Sequence, residues 1–319
     1  VARSSDQLES VAKQIRDSGG QASVHPADLT KMEEIRKLEE LGPFTLMGGK
    51  GVRVSGEHLK NIDEGVAYAN EIINIGGSFL IEEKLVGEEF SLMSFVDGKV
   101  CKHMPVVQDH KRAYEGDTGP NTGGMGTYSF GNHSLPFLNE KDINEAQKTN
   151  ELVAKQLFEE TGTPYVGILY GGFILTRDGV KVIEYNARFG DPEAMNVLSI
   201  LESDFLSICI SMVDGNLKNQ DVSFERLATV CKYVVPVGYP DKPTKNFEVF
   251  CNQNDHSLFL ASVMLKDQKL IACGSRTAAV VGKNKDVFQA EMFAEAGIAN
   301  ISGNLFHRKD IGTKKLIES

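Results

Sequence analysis

Three polar residues at alternating positions, Glu184, Asn186 and Arg188, are the best candidates in this sequence for direct chemistry. A carboxylate and an amide carbonyl are hard oxygen ligands, which suit a Mg²⁺ ion that also coordinates nucleotide phosphates. The guanidinium of Arg188 is placed to hold an anion beside such a metal. The spacing therefore indicates a metal and phosphate site, and the alternative is a polar strand end that is solvated at the surface.

A β-hairpin is expected to carry these residues. Residues 170–176 and 180–185 are rich in β-branched and aromatic side chains, and the Asp-Gly step between them is a strong hairpin signal. Because side chains alternate along a regular strand, we expect Val180, Val182, Glu184 and Asn186 to share one face. Glu184 and Asn186 would then point in the same direction.

The composition argues against several classes of protein. With 319 residues, of which 41% are hydrophobic and 24% charged, the chain is long enough for two or three globular domains. The net charge of -10 argues against a nucleic-acid surface, and no apolar run reaches membrane-spanning length. The 5 cysteines form no Cys-x-x-Cys pair, so reduced thiols in a cytoplasmic protein are expected. The chain begins at Val1 rather than methionine, which suggests an incomplete or trimmed gene product.

Three segments carry a resemblance to a known family. Residues 188–195, Arg-Phe-Gly-Asp-Pro-Glu-Ala-Met, resemble the signature of glycinamide ribonucleotide synthetases, or phosphoribosylamine–glycine ligases, which are ATP-grasp enzymes of purine biosynthesis. Residues 108–129 are similar to the substrate loop of the same family, and residues 303–312 are similar to a segment near its end. The resemblance extends from about residue 45 to the C-terminus.

This resemblance implies an ATP-dependent carbon–nitrogen ligase. ATP would phosphorylate glycine, and the amine of 5-phosphoribosylamine would attack the glycyl phosphate to give glycinamide ribonucleotide, ADP and phosphate. Glu184 and Asn186 would bind Mg²⁺ or Mn²⁺, and Arg188 would act in catalysis by steadying the developing anion. The expected partners are these small molecules, without nucleic acid or membrane, and the oligomeric state stays open.

The resemblance also implies binding residues. For ATP they comprise a glycine-rich loop, an adenine hinge, a ribose contact and a nearby lysine: Gly48, Gly49, Lys50, Gly51, Glu82, Leu85, Glu89 and Lys111. For phosphoribosylamine and glycine they form one polar loop whose backbone N–H groups can surround a phosphate: Asp117, Thr118, Gly119, Pro120, Asn121, Thr122, Gly123, Gly124 and Met125. Taken alone, these segments are equally typical of a hairpin tip, an acidic turn and a mobile surface loop. Arg308, Lys309 and Asp310 are expected to anchor the C-terminal domain, and the alternative is a contact with the substrate phosphate.

The fold class expected is α/β and α+β, with an ATP-grasp core that is incomplete at its N-terminal side and a C-terminal β-rich domain. We place an α/β segment at residues 1–43, the ATP-grasp domain at 44–225 with a partial flexible subdomain at 44–79, and the C-terminal domain at 226–319. Helices are expected near residues 59–73, 143–158, 205–213 and 288–296. Residues 1–40 resemble a short-chain dehydrogenase fragment without its glycine-rich phosphate turn, and the alternative is a leftover or fused α/β segment.

Three functions remain to be compared. The first is the ligase, although the N-terminal domain with which this family ordinarily begins is not recognisable before residue 45. The second is a truncated or fused chain that binds nucleotide but is catalytically silent, and the third is an NADP-binding dehydrogenase fragment. Binding of ATP with Mg²⁺ separates the first two from the third, and turnover separates the ligase from the silent binder.

Overall fold

The computed structural model describes Lys13 and residues 44–48, 51–54, 56, 58–75, 79–252 and 257–318. The chain divides into two compact units, the first ending at Val86 and the second beginning at Gly87. Apart from Lys13, the α/β segment expected at residues 1–43 lies outside the described residues. Gly49 and Lys50 of the glycine-rich loop also lie outside them.

The strands that the structure describes pair in antiparallel fashion. The strands are β1 (Phe44–Gly48), β2 (Gly51–Val54), β3 (Phe79–Glu83), β4 (Gly87–Asp97), β5 (Cys101–His103), β6 (Gln108–Asp109), β7 (Arg112–Tyr114), β8 (Thr118–Asn121), β9 (Gly126–Ser129), β10 (Val166–Thr176), β11 (Gly179–Asn186), β12 (Ala228–Pro236), β13 (Glu248–Val249), β14 (Leu258–Leu260), β15 (Val263–Lys266), β16 (Lys269–Ala272), β17 (Ala278–Asn284) and β18 (Leu305–Phe306). The helices are α1 (Ile62–Asn74), α2 (Glu140–Thr161), α3 (Glu193–Leu198), α4 (Phe205–Val213), α5 (Val287–Ile298) and α6 (Lys314–Ile317). None of these described helices is long and apolar enough to cross a membrane.

The described part of the first unit is a sheet in the order β2-β1-β3 with helix α1. Asn61 caps α1, because its side chain accepts a hydrogen bond from the backbone N–H of Glu64. This cap explains why the helix begins at Ile62, slightly later than the sequence pattern predicted. The apolar side of the helix contributes to a small cluster formed by Leu59, Ala69, Ile72 and Ile81.

The longest strands of the second unit form an antiparallel sheet in the order β11-β10-β4-β5. On one face of this sheet, Phe90 and Phe173 pack in a cluster with Ala146 of α2. On the other face, Met93 and Phe95 pack in a cluster with Ile208 and Met212 of α4. Strands β10 and β11 pair directly across the turn at residues 177–178, which confirms the hairpin predicted from the Asp-Gly step.

A second sheet joins segments that are far apart in sequence. Its order is β14-β17-β12-β9-β6, and β18 also pairs with β12. Helix α5 packs against this sheet through Val287, Ala290 and Ala294 in the cluster that contains Val230 of β12. The remaining strands pair as β13-β16-β15 and as β7-β8. Because β6 and β9 come before residue 225 and β12 comes after it, the predicted domain boundary at 225 runs through this sheet.

Candidate active site

A cleft opens in the second unit where β4, β6, β10 and β11 come together. It lies between the hairpin that carries the signature motif and the strand that begins the predicted substrate loop. Its polar lining combines several carboxylates with one lysine, and its lining residues are Glu89, Phe90, Ser91, Asp109, Lys111, Tyr170, Gly172, Phe173, Ile183 and Glu184. The cleft therefore brings together Glu184, Glu89 and Lys111, which the sequence placed in one site.

Glu184 and Asn186 point together, as the sequence predicted. The Nδ2 atom of Asn186 donates a hydrogen bond to Oε1 of Glu184 over 3.1 Å. Glu184 is exposed at the cleft, and Asn186 is half-buried beside it. The second carboxylate oxygen of Glu184 takes no part in this hydrogen bond. Rotation of the Asn186 amide would turn its carbonyl oxygen in the same direction, as a second oxygen ligand for a metal.

A β-bulge corrects the predicted face of Val180 and Val182. Gly172 pairs with Glu184, but the next residue, Phe173, pairs with Val182, so Ile183 is the extra residue in β11. The bulge reverses the alternation, which places Val180 and Val182 on the face opposite to Glu184. Val180 accordingly packs in the same cluster as Tyr185, and successive residues Ile183 and Glu184 both line the cleft.

Arg188 lies beyond the end of β11 with an exposed side chain. Its Nη1 atom donates a hydrogen bond to the carbonyl oxygen of Phe189 over 2.7 Å. Arg188 is not among the residues that line the described cleft. Its assignment as the anion-holding residue therefore stays a prediction.

Lys111 is held in the cleft by a carboxylate. Its Nζ atom lies 3.2 Å from Oε2 of Glu89, the residue predicted to contact ribose. Burial alone would lower the pKa of Lys111, but the carboxylates of Glu89 and Asp109 outweigh it and raise that pKa. Lys111 thus carries a full positive charge in the cleft, as a phosphate-binding lysine must.

Asp109 and Glu193 form an acidic pair that sequence analysis did not assign to the site. Burial, followed by the charge of Glu193, raises the pKa of Asp109 well above its ordinary value. Burial also raises the pKa of Glu193, whose Oε1 accepts a 2.8 Å hydrogen bond from the hydroxyl of Tyr170. Both acids lie within the motifs that carried the family resemblance. The sequence therefore pointed to these two positions, but it did not predict that the side chains are buried.

The predicted substrate loop, residues 117–125, is partly regular: residues 118–121 form β8, which pairs with β7, and residues 122–125 lead into β9. The segment 117–125 is called the substrate hairpin below. Strands β7 and β8 pair around a turn in which Gly116 and Asp117 have φ of 70° and 54°. Glycine and aspartate tolerate this left-handed conformation better than other residues do, which explains a turn at this point. Most of the hairpin side chains are exposed, whereas Met125 is fully buried with Cys231 and Tyr233 in a hydrophobic cluster. Its backbone N–H donates to the carbonyl oxygen of His110 and its carbonyl accepts from the N–H of Tyr233, so the substrate-binding role of Met125 stays a prediction.

Arg308 fixes the start of this hairpin. The side chain is only 1% exposed, and its Nη1 donates hydrogen bonds to Oδ1 of Asp117 over 2.9 Å and to the carbonyl of Arg112 over 3.1 Å. Asp310 completes the attachment, because its carboxylate accepts from Arg308 and from the backbone N–H of Gly116. These contacts agree with the anchoring role that the sequence suggested for Arg308 and Asp310.

The remaining predicted ATP-binding residues belong to the first unit. Gly48 and Gly51 pair with each other at the ends of β1 and β2, which is the hairpin-tip geometry considered as an alternative. Glu82 lies on β3, an edge strand of its sheet, and Leu85 follows that strand. An edge strand leaves backbone groups available for a ligand, as the adenine assignment requires. The role of all four residues stays a prediction.

The donor set at Glu184 and Asn186 suits a divalent metal that is shared with a nucleotide. Among the described residues, no group of 3 or more His, Cys, Asp or Glu side chains is arranged to hold a metal on its own. Mg²⁺ commonly binds one or two protein oxygens and completes its coordination with phosphates and water. One carboxylate and one amide oxygen fit that role and do not fit a closed structural metal site.

Comparison with known proteins identifies the class to which this fold and cleft belong. The profile of the phosphoribosylglycinamide synthetase ATP-grasp (A) domain matches residues 30–194, and the profile of the C domain of the same synthetase matches residues 229–314. The chain is thus an ATP-grasp protein, and it belongs to the phosphoribosylglycinamide synthetase family. The family and the fold class expected from the sequence are confirmed.

Individual relatives agree with this assignment. The chain is 52% identical over 298 residues to a phosphoribosylamine–glycine ligase of Methanococcus vannielii, covering 91% of this chain and 67% of the relative. It is 50% identical over 287 residues to that of Methanosarcina barkeri, covering 88% and 66%. The crystal structure of phosphoribosylamine–glycine ligase from Thermotoga maritima matches with a TM-score of 0.76 at 29% identity, covering 95% of this chain and 78% of that one. The chain therefore spans about two thirds of the length of these curated relatives.

The dehydrogenase resemblance of residues 1–40 finds no support in these relatives. A phosphoribosylamine–glycine ligase from Methanocaldococcus jannaschii is 47% identical over 321 residues and covers 98% of this chain, and therefore most of residues 1–43. The ATP-grasp profile likewise begins at residue 30. These extents connect the N-terminal segment with ligases rather than with dehydrogenases. The exact domain boundaries stay predictions.

Proposed function

We propose that this chain ligates glycine to 5-phosphoribosylamine with ATP, giving glycinamide ribonucleotide, ADP and phosphate. The observation that carries the proposal is the cleft, which holds Glu184 and Lys111 together beside the substrate hairpin in a member of this ligase family. A lysine ammonium and a metal-binding carboxylate in one cleft suit the transfer of a phosphoryl group.

The reaction needs positioning and charge rather than a nucleophilic side chain. The γ-phosphoryl group of ATP moves to a carboxylate oxygen of glycine, its bond to the β-phosphate oxygen breaks, and ADP leaves. The amine of phosphoribosylamine then attacks the carbonyl carbon, the bond to phosphate oxygen breaks, and the amine loses a proton as the amide forms. Lys111 would bind the phosphates, Glu89 the ribose, and Arg188 would steady the developing anion.

The metal proposed is Mg²⁺ or Mn²⁺, held by Glu184 and Asn186. When bound, it supplies positive charge that neutralises the phosphate oxygens of ATP. The backbone of the substrate hairpin, residues 117–125, would hold phosphoribosylamine and glycine. Residues 44–225 would form the ATP-grasp domain, and residues 226–319 would form the C-terminal domain. We place the protein in the cytoplasm and expect its substrates to be small molecules.

A second candidate is a nucleotide binder without ligase activity. It is favoured by the cleft itself, whose lining includes Glu89, Lys111 and Glu184 but not Arg188, the residue predicted to act in catalysis. This candidate predicts ATP binding without turnover.

The test is ADP release from ATP with Mg²⁺, glycine and freshly generated phosphoribosylamine. Release that requires both glycine and the amine supports the ligase. We expect Glu184→Ala to lower kcat by about 100-fold or more, the scale of loss when one electrostatic contact to a transition state is removed. Because Glu184 is exposed, its replacement should leave the fold intact.

A matched control is Glu160→Ala, the same change at an exposed position of α2, which should retain full activity. Full activity in Glu184→Ala would refute the metal assignment. A folded wild-type chain that binds ATP but releases no ADP would establish the silent binder instead.

A further inference from the structure

Arg276, in the segment before β17, joins two parts of the chain that the proposed function places in the active site. Its Nη1 atom donates to the carbonyl oxygens of Gly123 over 2.7 Å and Gly124 over 3.2 Å, at the end of the substrate hairpin. The same Nη1 atom donates to the carbonyl oxygen of Asp191 over 2.8 Å, and Nη2 donates to its carboxylate over 2.8 Å. One guanidinium group thus bridges the hairpin and the signature segment at residues 188–195.

The surroundings of Arg276 hold its guanidinium in one place. Its side chain is 15% exposed, and its Cζ atom lies 4.6 Å from the centre of the Tyr233 ring. The hydroxyl of Tyr233 donates a 2.8 Å hydrogen bond to the other carboxylate oxygen of Asp191. Each carboxylate oxygen of Asp191 therefore accepts a hydrogen bond, one from Arg276 and one from Tyr233.

Close packing at Gly123 adds to the constraint. A side chain at this glycine would place its Cβ 3.2 Å from Cζ of Arg276, so the guanidinium lies directly against the hairpin backbone. The planar fork of arginine can satisfy several oxygens at fixed angles, which a lysine ammonium on a flexible stem does not reproduce. Arg276 thus fixes both distance and orientation between the two segments.

We propose that Arg276 is a positioning residue for the ligation, which holds the end of the substrate hairpin in register with the signature segment. This inference rests on the proposed function, because it assumes that the hairpin binds the substrates. Arg276 makes no described hydrogen bond to Lys111, Glu89 or Glu184 and does not line the cleft. Its loss should therefore impair the alignment of substrates more than the binding of ATP.

The experiment compares Arg276→Ala with the wild-type chain in the ADP-release assay. We expect kcat to fall by about 100-fold, the effect of a misplacement of about 1 Å, while KM for ATP stays near its original value. Guanidinium ion, at concentrations far below those that unfold the chain, should restore part of the lost activity, and methylammonium should not. A general structural defect would not discriminate between these two cations.

The control is Lys269→Ala, which removes an exposed cation from the same half of the chain, where it pairs with Glu248. It should keep wild-type kcat. If Arg276→Ala does not fold, Tyr233→Phe removes only the hydroxyl that supports Asp191 and should lower kcat by about 10-fold, as the loss of one hydrogen bond would. A folded Arg276→Ala with near wild-type kcat, or with a loss that guanidinium does not repair, would overturn the proposal.

Hydrogen exchange separates this proposal from the proposed function. Whether or not the wild-type chain turns over, Arg276→Ala should speed amide exchange in residues 117–125 and 188–195 together, and Lys269→Ala should not. Absence of wild-type turnover would count against the ligase. Unchanged exchange in both segments would count against the positioning role.

Discussion

Replacement of the buried Lys232 by methionine should destabilise the chain severely. Lys232 lies on β12 and is completely buried, and its Nζ atom contacts Oε1 of Glu291 at 2.5 Å, Oε2 of Glu295 at 2.8 Å and the carbonyl of Lys309 at 2.8 Å. Glu291 and Glu295 are one turn apart on α5. The ammonium therefore attaches the helix and the C-terminal segment to the central strand of the second sheet.

The expected magnitude follows from what the substitution leaves behind. Glu295 retains a partner, because Nε2 of His307 lies 3.0 Å from its carboxylate. Glu291 is only 14% exposed and would lose its cation. Breaking a buried pair in this way costs about 3–5 kcal/mol, a large part of the ~5–15 kcal/mol that stabilises a typical domain.

The assay is equilibrium unfolding in urea, followed by circular dichroism, for Lys232→Met, Glu291→Gln and the double variant. The double variant should be less destabilised than the sum of the two single variants, because it no longer contains an unpaired buried carboxylate. Lys269→Met removes a 57% exposed lysine from a 2.8 Å pair and should change the free energy of unfolding by less than about 1 kcal/mol. A Lys232→Met chain within about 1 kcal/mol of wild type would refute this reasoning.

Two further outcomes are expected. Gly282→Ala should lower the free energy of unfolding by about 1–3 kcal/mol or more, since a Cβ there would lie 1.9 Å from the carbonyl oxygen of Ala290 on α5; thermal unfolding measures this change. The neighbouring His110, whose Nδ1 lies 3.9 Å from Oδ1 of Asp117, and then a hydrogen bond from Arg308 lower the pKa of Asp117 to about 2, below the ordinary value of ~3.9 in an unfolded chain. The stabilising contribution of Asp117 is therefore complete above about pH 5 and is lost as the pH falls from about 4 towards 2, which a comparison of wild type with Asp117→Asn across pH should reveal.

Each of these outcomes has a distinguishing control. Gly172→Ala changes a strand glycine that, like Gly282, has no left-handed φ, and the nearest atom to the new Cβ lies at 3.4 Å, an ordinary contact. If Gly172→Ala is as destabilising as Gly282→Ala, the clash with α5 is not the cause. For Asp117, a difference from the asparagine variant that grows on acidification would contradict the pKa assignment.

Much of the site was accessible to sequence analysis because it depends on local spacing. Glu184 and Asn186 are two residues apart on one strand, and any regular strand directs such a pair to the same face. The predicted alternation of side chains along the rest of the strand was wrong at Ile183, because a β-bulge adds a residue there without a marked change in composition. The side of the sheet to which Val180 points therefore depends on how β11 pairs with β10, and this pairing cannot be predicted from the local sequence.

The parts that sequence analysis missed depend on contacts between distant residues. Arg276 meets Gly123 and Asp191 across separations of 153 and 85 residues, so no spacing rule connects them. The acidic character of Asp109 was visible, but its raised pKa results from burial and from Glu193. Tertiary packing, rather than propensity, decides such features.

The second sheet has a consequence for how the chain can be divided. Strand β12 pairs with β9 along residues 229–232, and every residue of β12 is buried. The C-domain profile begins at residue 229, so a fragment cut there would lose the neighbour that covers one edge of its central strand. An open edge on an apolar strand invites pairing between chains. The segment that the C-domain profile matches is thus smaller than the unit that folds cooperatively. A C-terminal fragment produced alone should tend to aggregate unless residues 108–129 are included with it.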